Sequence, residues 1–179
     1  MIHQFADVDA RAVVDDSAAV WHYAQVREFA QVGSETSIGR GSYVDREVKI
    51  GSNCKIQNGA MLYHPASVES GVFIGPGAIL TNDRHPRAVG SAGDKKSNFD
   101  WDAVGVRVRE GASIGAGAIC VAPLTIGRWA LVAAGAVVTS DVPDFALVAG
   151  LPARQRGWVG HAGVPLRSDL ADAAQFTCP

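Results

Sequence analysis

Aliphatic residues return at every sixth position through most of the chain. Stepping by six from Val8 meets Val14, Val20, Val26, Val32, Ile38, Val44, Ile50, Ile56, Leu62, Val68, Ile74 and Leu80 without an exception. Four residues after each of these the side chain is nearly always small, as at Ala18, Ala24, Ser42, Ala60 and Ala78. Glycine often follows the aliphatic residue directly, as at Gly33, Gly39, Gly51 and Gly75. The period stops after Leu80 and resumes with Val108, Ile114, Cys120, Ile126, Val132 and Val138. The step of 28 from Leu80 to Val108 is not a multiple of six, so a segment from Asp83 to about Arg107 has been inserted.

A period of six matches neither the 3.6 of an α-helix nor plain strand alternation. It fits short strands joined by turns, three of which close a triangular coil of 18 residues. Each aliphatic residue then points inward, the small residue fits beside it, and successive coils pair as parallel strands ~4.8 Å apart. Nineteen units predict about six coils. The expected fold is an all-β parallel helix over residues 1–162, interrupted by the loop 83–107 and followed by a tail, 163–179, that has a helix signal near Ser168.

Composition agrees with a thin column. The chain is 47% hydrophobic, yet only 7% aromatic, and it holds 20 glycines and 8 prolines. Val, Ile and Ala are the residues that such a narrow interior accepts. A formal charge of -2 excludes a broad basic footprint, so neither nucleic acid nor an anionic membrane is expected as a partner. No run is long enough to cross a bilayer, and the amino terminus lacks a signal-peptide pattern, which together predict a cytoplasmic protein. Cys54 and Cys120 fall in inward slots and Cys178 in the tail, with neither disulfide nor metal-ligand spacing. No metal is expected.

Residues 18 apart share a corner of the column. Arg46, His64 and Asn82 should therefore stack, as should Tyr63 and Thr81, with Gln57 and Asn58 one face earlier. Asn82 is the last regular residue before the insertion, and a long loop on a rigid repeat is a natural place for chemistry. That loop gathers Arg84, Arg87, Lys95, Lys96 and Arg107, which suits an anionic ligand.

The stretches IGRGSY, IGSNCK, IGPGAI, IGAGAI and IGRWAL resemble the repeats of the hexapeptide acyltransferases, whose fold is a left-handed parallel β-helix. The segments VWHYAQV, KIQNGAMLY, GPGAILTNDRHPRA, GASIGAGAICVAPLTIG and VPDFALVAGLPARQRGWV are similar to those of the bacterial sugar-nucleotide N-acetyltransferases. That resemblance implies acetyl-CoA as cosubstrate and transfer to the 3-amino group of a dTDP- or UDP-linked amino sugar in surface-glycan or glycoside biosynthesis. It also implies a homotrimer with active sites between subunits.

Matched residue by residue, Asn82 would orient the amine and His85 would serve as general base. Gln57, Asn58, Tyr63, His64, Asp83, Arg84 and Arg87 would meet the nucleotide sugar. The small corner residues Ala116, Gly117, Ala134 and Gly135 would admit an extended pantetheine arm, with Arg154 and Arg156 near its phosphates. The competing readings are an O-acetyltransferase of the galactoside or maltose type with His85 as obligatory base, a zinc hydrase of the carbonic-anhydrase kind, and a non-catalytic β-helix. His3 and His161, near the chain ends, are expected to be solvated.

Overall fold

A computed structural model describes residues 1–97 and 100–166. The helix signal near Ser168 and the thiol of Cys178 lie outside the described residues.

Every named element among the described residues is a strand, and most are only two residues long. They form three parallel faces. The first stacks Asp7–Val8, Gln25–Val26, Tyr43–Val44, Met61–Leu62, Ile79–Leu80, Ile119–Cys120 and Val137–Val138. The second runs from Val13–Val14 through Gln31–Val32, Lys49–Ile50, Ser67–Val68 and Val106–Val108 to Leu124–Ile126. The third runs from Ala19–Val20 to Ala146–Ala149 and ends on an antiparallel strand, Arg154–Trp158. Register advances by 18 residues per coil, as in Gln25 opposite Tyr43 and Ser37 opposite Lys55. This is the architecture of a left-handed parallel β-helix.

The period predicts about six coils, and the column has about eight turns. The difference lies at the ends, where the backbone pairs beyond the units counted from Val8 to Val138. Ile2 bridges Val20 below the first regular unit, and Leu147 pairs with Leu131 above the last. The insertion is also shorter than its broken period suggests, because Val106–Val108 already pairs with Ser67–Val68 and Leu124–Ile126. Arg107 is therefore a strand residue, with buried Val106 and Val108 on either side of it.

The core is one continuous file of the six-step residues and their small companions. From Val20 to Val138 each aliphatic member is buried, whereas Val8 and Val14 at the amino-terminal end are only partly so. Each buried Ile or Leu contributes roughly 1.5–3 kcal/mol of transfer free energy. Cys54 and Cys120 occupy inward slots, and burial pushes the Cys120 thiol up to about 12. The buried hydroxyls of Thr36 and Ser42 donate to the carbonyls of Gly51 and Gln57 at 2.8 Å, so the interior polar groups are satisfied.

Two geometric demands set the turns. After the aliphatic residue the backbone passes so close to the next coil that a Cβ on Gly39 would stand 2.6 Å from the Asn58 nitrogen. Two residues later the chain takes a left-handed conformation, as at Gly41 with φ of 65°. Tyr23, Phe29, Glu35, Glu47, Asn53, Trp129 and Phe145 adopt the same conformation without being glycine.

Candidate active site

The corner between the first and second faces carries Asp45, Arg46 and Glu47, then Tyr63, His64 and Pro65, then Thr81 and Asn82. The expected stack of Arg46, His64 and Asn82 is present, since Met61–Leu62 pairs with both Tyr43–Val44 and Ile79–Leu80. His64 is fixed by its lower neighbours. Its backbone N–H donates to Asp45 Oδ2 at 3.1 Å, and its Nδ1 lies 3.2 Å from both the Arg46 carbonyl and Glu47 Oε2. Tyr63 packs its ring against Tyr43 at 5.4 Å and turns its hydroxyl toward Met61 Sδ. Tyr43 bridges Arg27 and Asp45 through its own hydroxyl.

Chain leaves the column after Asn82 and returns at Val104, whose N–H donates to the Asn82 carbonyl at 3.0 Å. The described residues of the excursion are held by local hydrogen bonds. Val89 bridges Lys95, the Gly90 N–H reaches the Asp94 carbonyl at 2.8 Å, and Ser97 donates to Asp100, holding that carboxyl below its usual range. At its base Asp83 Oδ1 accepts the N–H of His85 at 2.8 Å, forming a turn that exposes the imidazole. Asp83, Arg84, His85, Lys96, Trp101 and Asp102 surround a cavity of about 330 Å³. Arg87 points elsewhere, donating to the Pro86 carbonyl.

Gln57 and Asn58 do not join this group. They sit on the corner between the third and first faces, where Asn58 Oδ1 accepts the Arg40 N–H at 2.9 Å and the Gln57 carbonyl accepts from Ser42. Farther along that corner lie Ala116, Gly117, Ala134 and Gly135, all exposed. The Gly117 N–H donates to the Pro76 carbonyl and the Gly135 N–H to the Ala116 carbonyl, each at 2.8 Å. No side chain longer than a methyl group stands on these two rungs, and Gly150 ends the strip close to Arg156. Arg154 is turned to the Ala153 carbonyl.

The sequence reading missed a cluster at the amino-terminal end of this corner. His3 and His22 stack with ring centroids 3.3 Å apart, Phe5 lies over Tyr23 at 6.0 Å, and the Arg40 guanidinium stands 5.5 Å above Tyr23. His3 is thus stacked and not simply solvated. Burial, together with the charges of His3 and Arg40, pushes His22 below the ordinary imidazole range. The 18-residue step that aligns the strands also aligns His3 with Trp21 and Phe5 with Tyr23, a signal obscured because the repeat count begins only at Val8. His161 likewise packs edge-on against Trp129 and Phe145. Among the described residues no group of three or more His, Cys, Asp or Glu is placed to hold a metal ion. Among the same residues no helix is long and apolar enough to cross a membrane.

Fold and repeat together define a hexapeptide-repeat β-helix. The bacterial transferase hexapeptide model (six repeats) matches residues 47–82, and the model for the hexapeptide repeat of succinyl-transferase matches residues 105–140. Over 52 residues, 29% of the chain, it is 56% identical to a dTDP-3-amino-3,6-dideoxy-alpha-D-galactopyranose 3-N-acetyltransferase from Aneurinibacillus thermoaerophilus, covering 27% of that protein. Over 109 residues, 60% of the chain, it is 37% identical to the serine acetyltransferase of Escherichia coli K12, covering 37% of it. The chain thus spans about a quarter to two fifths of these curated relatives. A candidate acetyltransferase from Bacillus cereus shares the fold with a TM-score of 0.66 at 21% identity, over 85% of this chain and 83% of that one. A hexapeptide-repeat acetyltransferase from Vibrio cholerae, solved with acetyl coenzyme A, does so with a TM-score of 0.59 at 21% identity, over 71% and 69% of the two chains.

Proposed function

We propose that the chain is an acetyl-CoA-dependent N-acetyltransferase acting on the 3-amino group of a dTDP- or UDP-linked amino sugar. The 52-residue stretch at 56% identity to such an enzyme carries this reading. The geometry supports it by offering an acceptor side, with Asn82 and His85 at the loop, and a donor side, the smooth corner at Ala116, Gly117, Ala134 and Gly135. The two lie on different corners, separated by the first face. A single column does not bring them to one point, so the site is completed by a second copy in a cytoplasmic homotrimer.

In the reaction the neutral amine attacks the thioester carbonyl carbon. Asn82 orients the amine, and backbone N–H groups stabilise the oxyanion. The C–S bond breaks and CoA leaves as a thiolate. The proton lost by nitrogen passes to the His85 imidazole or to the departing sulfur, so His85 assists without being indispensable. Arg84 and Lys96, beside the same cavity, meet a carboxylate on the acceptor sugar. Arg154 and Arg156 meet those of CoA.

A second reading has its own support, since the serine acetyltransferases match over 109 residues. A hydroxyl acceptor must lose its proton as it attacks, and His85 would then be obligatory. The test is release of CoA thiol from acetyl-CoA against a panel of dTDP- and UDP-amino sugars, with L-serine and galactosides as counterparts. Turnover confined to the amino-sugar nucleotides supports the proposal. Uniform inactivity across them, or turnover with serine alone, overturns it.

A further inference from the structure

Upstream of the smooth strip, the corner between the third and first faces holds a cavity of about 210 Å³ lined by Trp21, His22, Gly39, Arg40, Gln57 and Asn58. Its chemistry changes coil by coil. Trp21 stands at one end, 42% exposed, with its ring parallel to that of His22, which in turn is stacked on His3. One coil on is Arg40, which no carboxylate pairs among the described residues. The next coil presents the amides of Gln57 and Asn58, and beyond it come Pro76 and the bare backbone of Gly77.

Resting on the function proposed above, we infer that this cavity is the nucleotide subsite for the acceptor. Trp21 stacks on the pyrimidine base, Arg40 binds the diphosphate, and Gln57 with Asn58 meets the sugar. The order along the corner is the order of groups in a nucleoside diphosphate sugar. At ~4.8 Å per coil the two steps from Trp21 through Arg40 to Asn58 span about 10 Å, within the reach of an extended base, ribose, diphosphate and sugar. The sugar is thereby delivered where the donor strip begins, against the Asn82 corner of the neighbouring copy.

Two features of the cluster fit this use and not simple packing. A half-exposed indole beside a guanidinium that no carboxylate pairs among the described residues is the combination that binds a base and its phosphates. Arg40 is held in place by the Tyr23 ring, and its backbone N–H is tied to Asn58 Oδ1, so the cation is positioned before any ligand arrives.

Calorimetry of the full chain with dTDP, UDP and inorganic pyrophosphate tests the subsite without requiring turnover. Trp21→Ala is expected to weaken dTDP or UDP by about tenfold or more and leave pyrophosphate unchanged, whereas Trp21→Phe retains the nucleotide. Arg40→Gln is expected to weaken all three probes. Nucleotide affinity unchanged in Trp21→Ala overturns the inference, as does a Trp21→Ala protein that loses its oligomeric state while Trp21→Phe binds no better. The two proposals separate cleanly. Trp21-dependent nucleotide binding without acetylation of any amino-sugar nucleotide contradicts the reaction and leaves the subsite standing. Acetylation with KM unaltered by Trp21→Ala does the reverse.

Discussion

The backbone N–H of His85 is held by the carboxylate of Asp83, Oδ1 accepting it at 2.8 Å, at the point where the chain departs from the column. This turn sets how the loop leaves the column and fixes the backbone that carries His85. Asp83→Ala removes the acceptor and lets the imidazole drift. Turnover is expected to fall by about a few-fold, no more than in His85→Ala, because the turn acts through a base that assists without being indispensable. Asp83→Asn keeps an acceptor oxygen and is expected to retain most activity. Equal turnover in Asp83→Ala and the parent, measured by thiol release, contradicts a positioning role for the turn.

The turn chemistry predicts opposite signs at neighbouring positions of the repeat. Gly39→Ala places a methyl 2.6 Å from the backbone nitrogen of Asn58, where nothing flexible can yield, and is expected to destabilise by about 1–3 kcal/mol. Glu35 is exposed with φ of 55°, and Glu35→Gly relieves a left-handed cost of about 1–2 kcal/mol, partly offset by the added entropy of the unfolded chain. A net gain of up to about 1 kcal/mol is expected. Urea unfolding of both variants checks the pair, and a stabilised Gly39→Ala protein contradicts the close-approach argument.

Acid should weaken the amino-terminal end first. His22 has its pKa lowered from 6.5 by burial and by the charges of His3 and Arg40. The folded state therefore binds fewer protons than the unfolded chain between the two values. The resulting stability is whole above pH 6.5, starts to decline as pH falls past 6.5, and is gone below the folded value. His22→Gln removes this dependence. Its melting temperature is expected to fall less than that of the parent on acidification just below pH 6.5. Parallel curves for the two proteins would falsify the linkage.

The column is legible in the sequence because a six-residue period admits one inward slot per unit, so Val20 through Val138 declare their own burial. The ends are not. Ile2 keeps the six-step one unit before Val8 but is exposed, and Leu147 pairs with Leu131 across 16 residues, off the regular step of 18. Adding 18 was enough to stack Arg46, His64 and Asn82. It did not show that His64 is engaged by Glu47, or that Asn58 uses its oxygen to hold the Arg40 backbone, because hydrogen bonds between turns depend on rotamers.

Whether nitrogen is the acceptor atom is the question on which the account turns. The direct measurement is mass spectrometry of products formed from acetyl-CoA and a matched pair of dTDP- or UDP-hexoses, one bearing an amine and the other a hydroxyl at carbon three. The comparison is run with the parent protein and with His85→Ala. The account predicts a single acetyl group on the amino sugar alone, stable to mild base, with only a modest loss of turnover in His85→Ala. A base-labile acetyl ester on the hydroxyl sugar, abolished by His85→Ala, would contradict it.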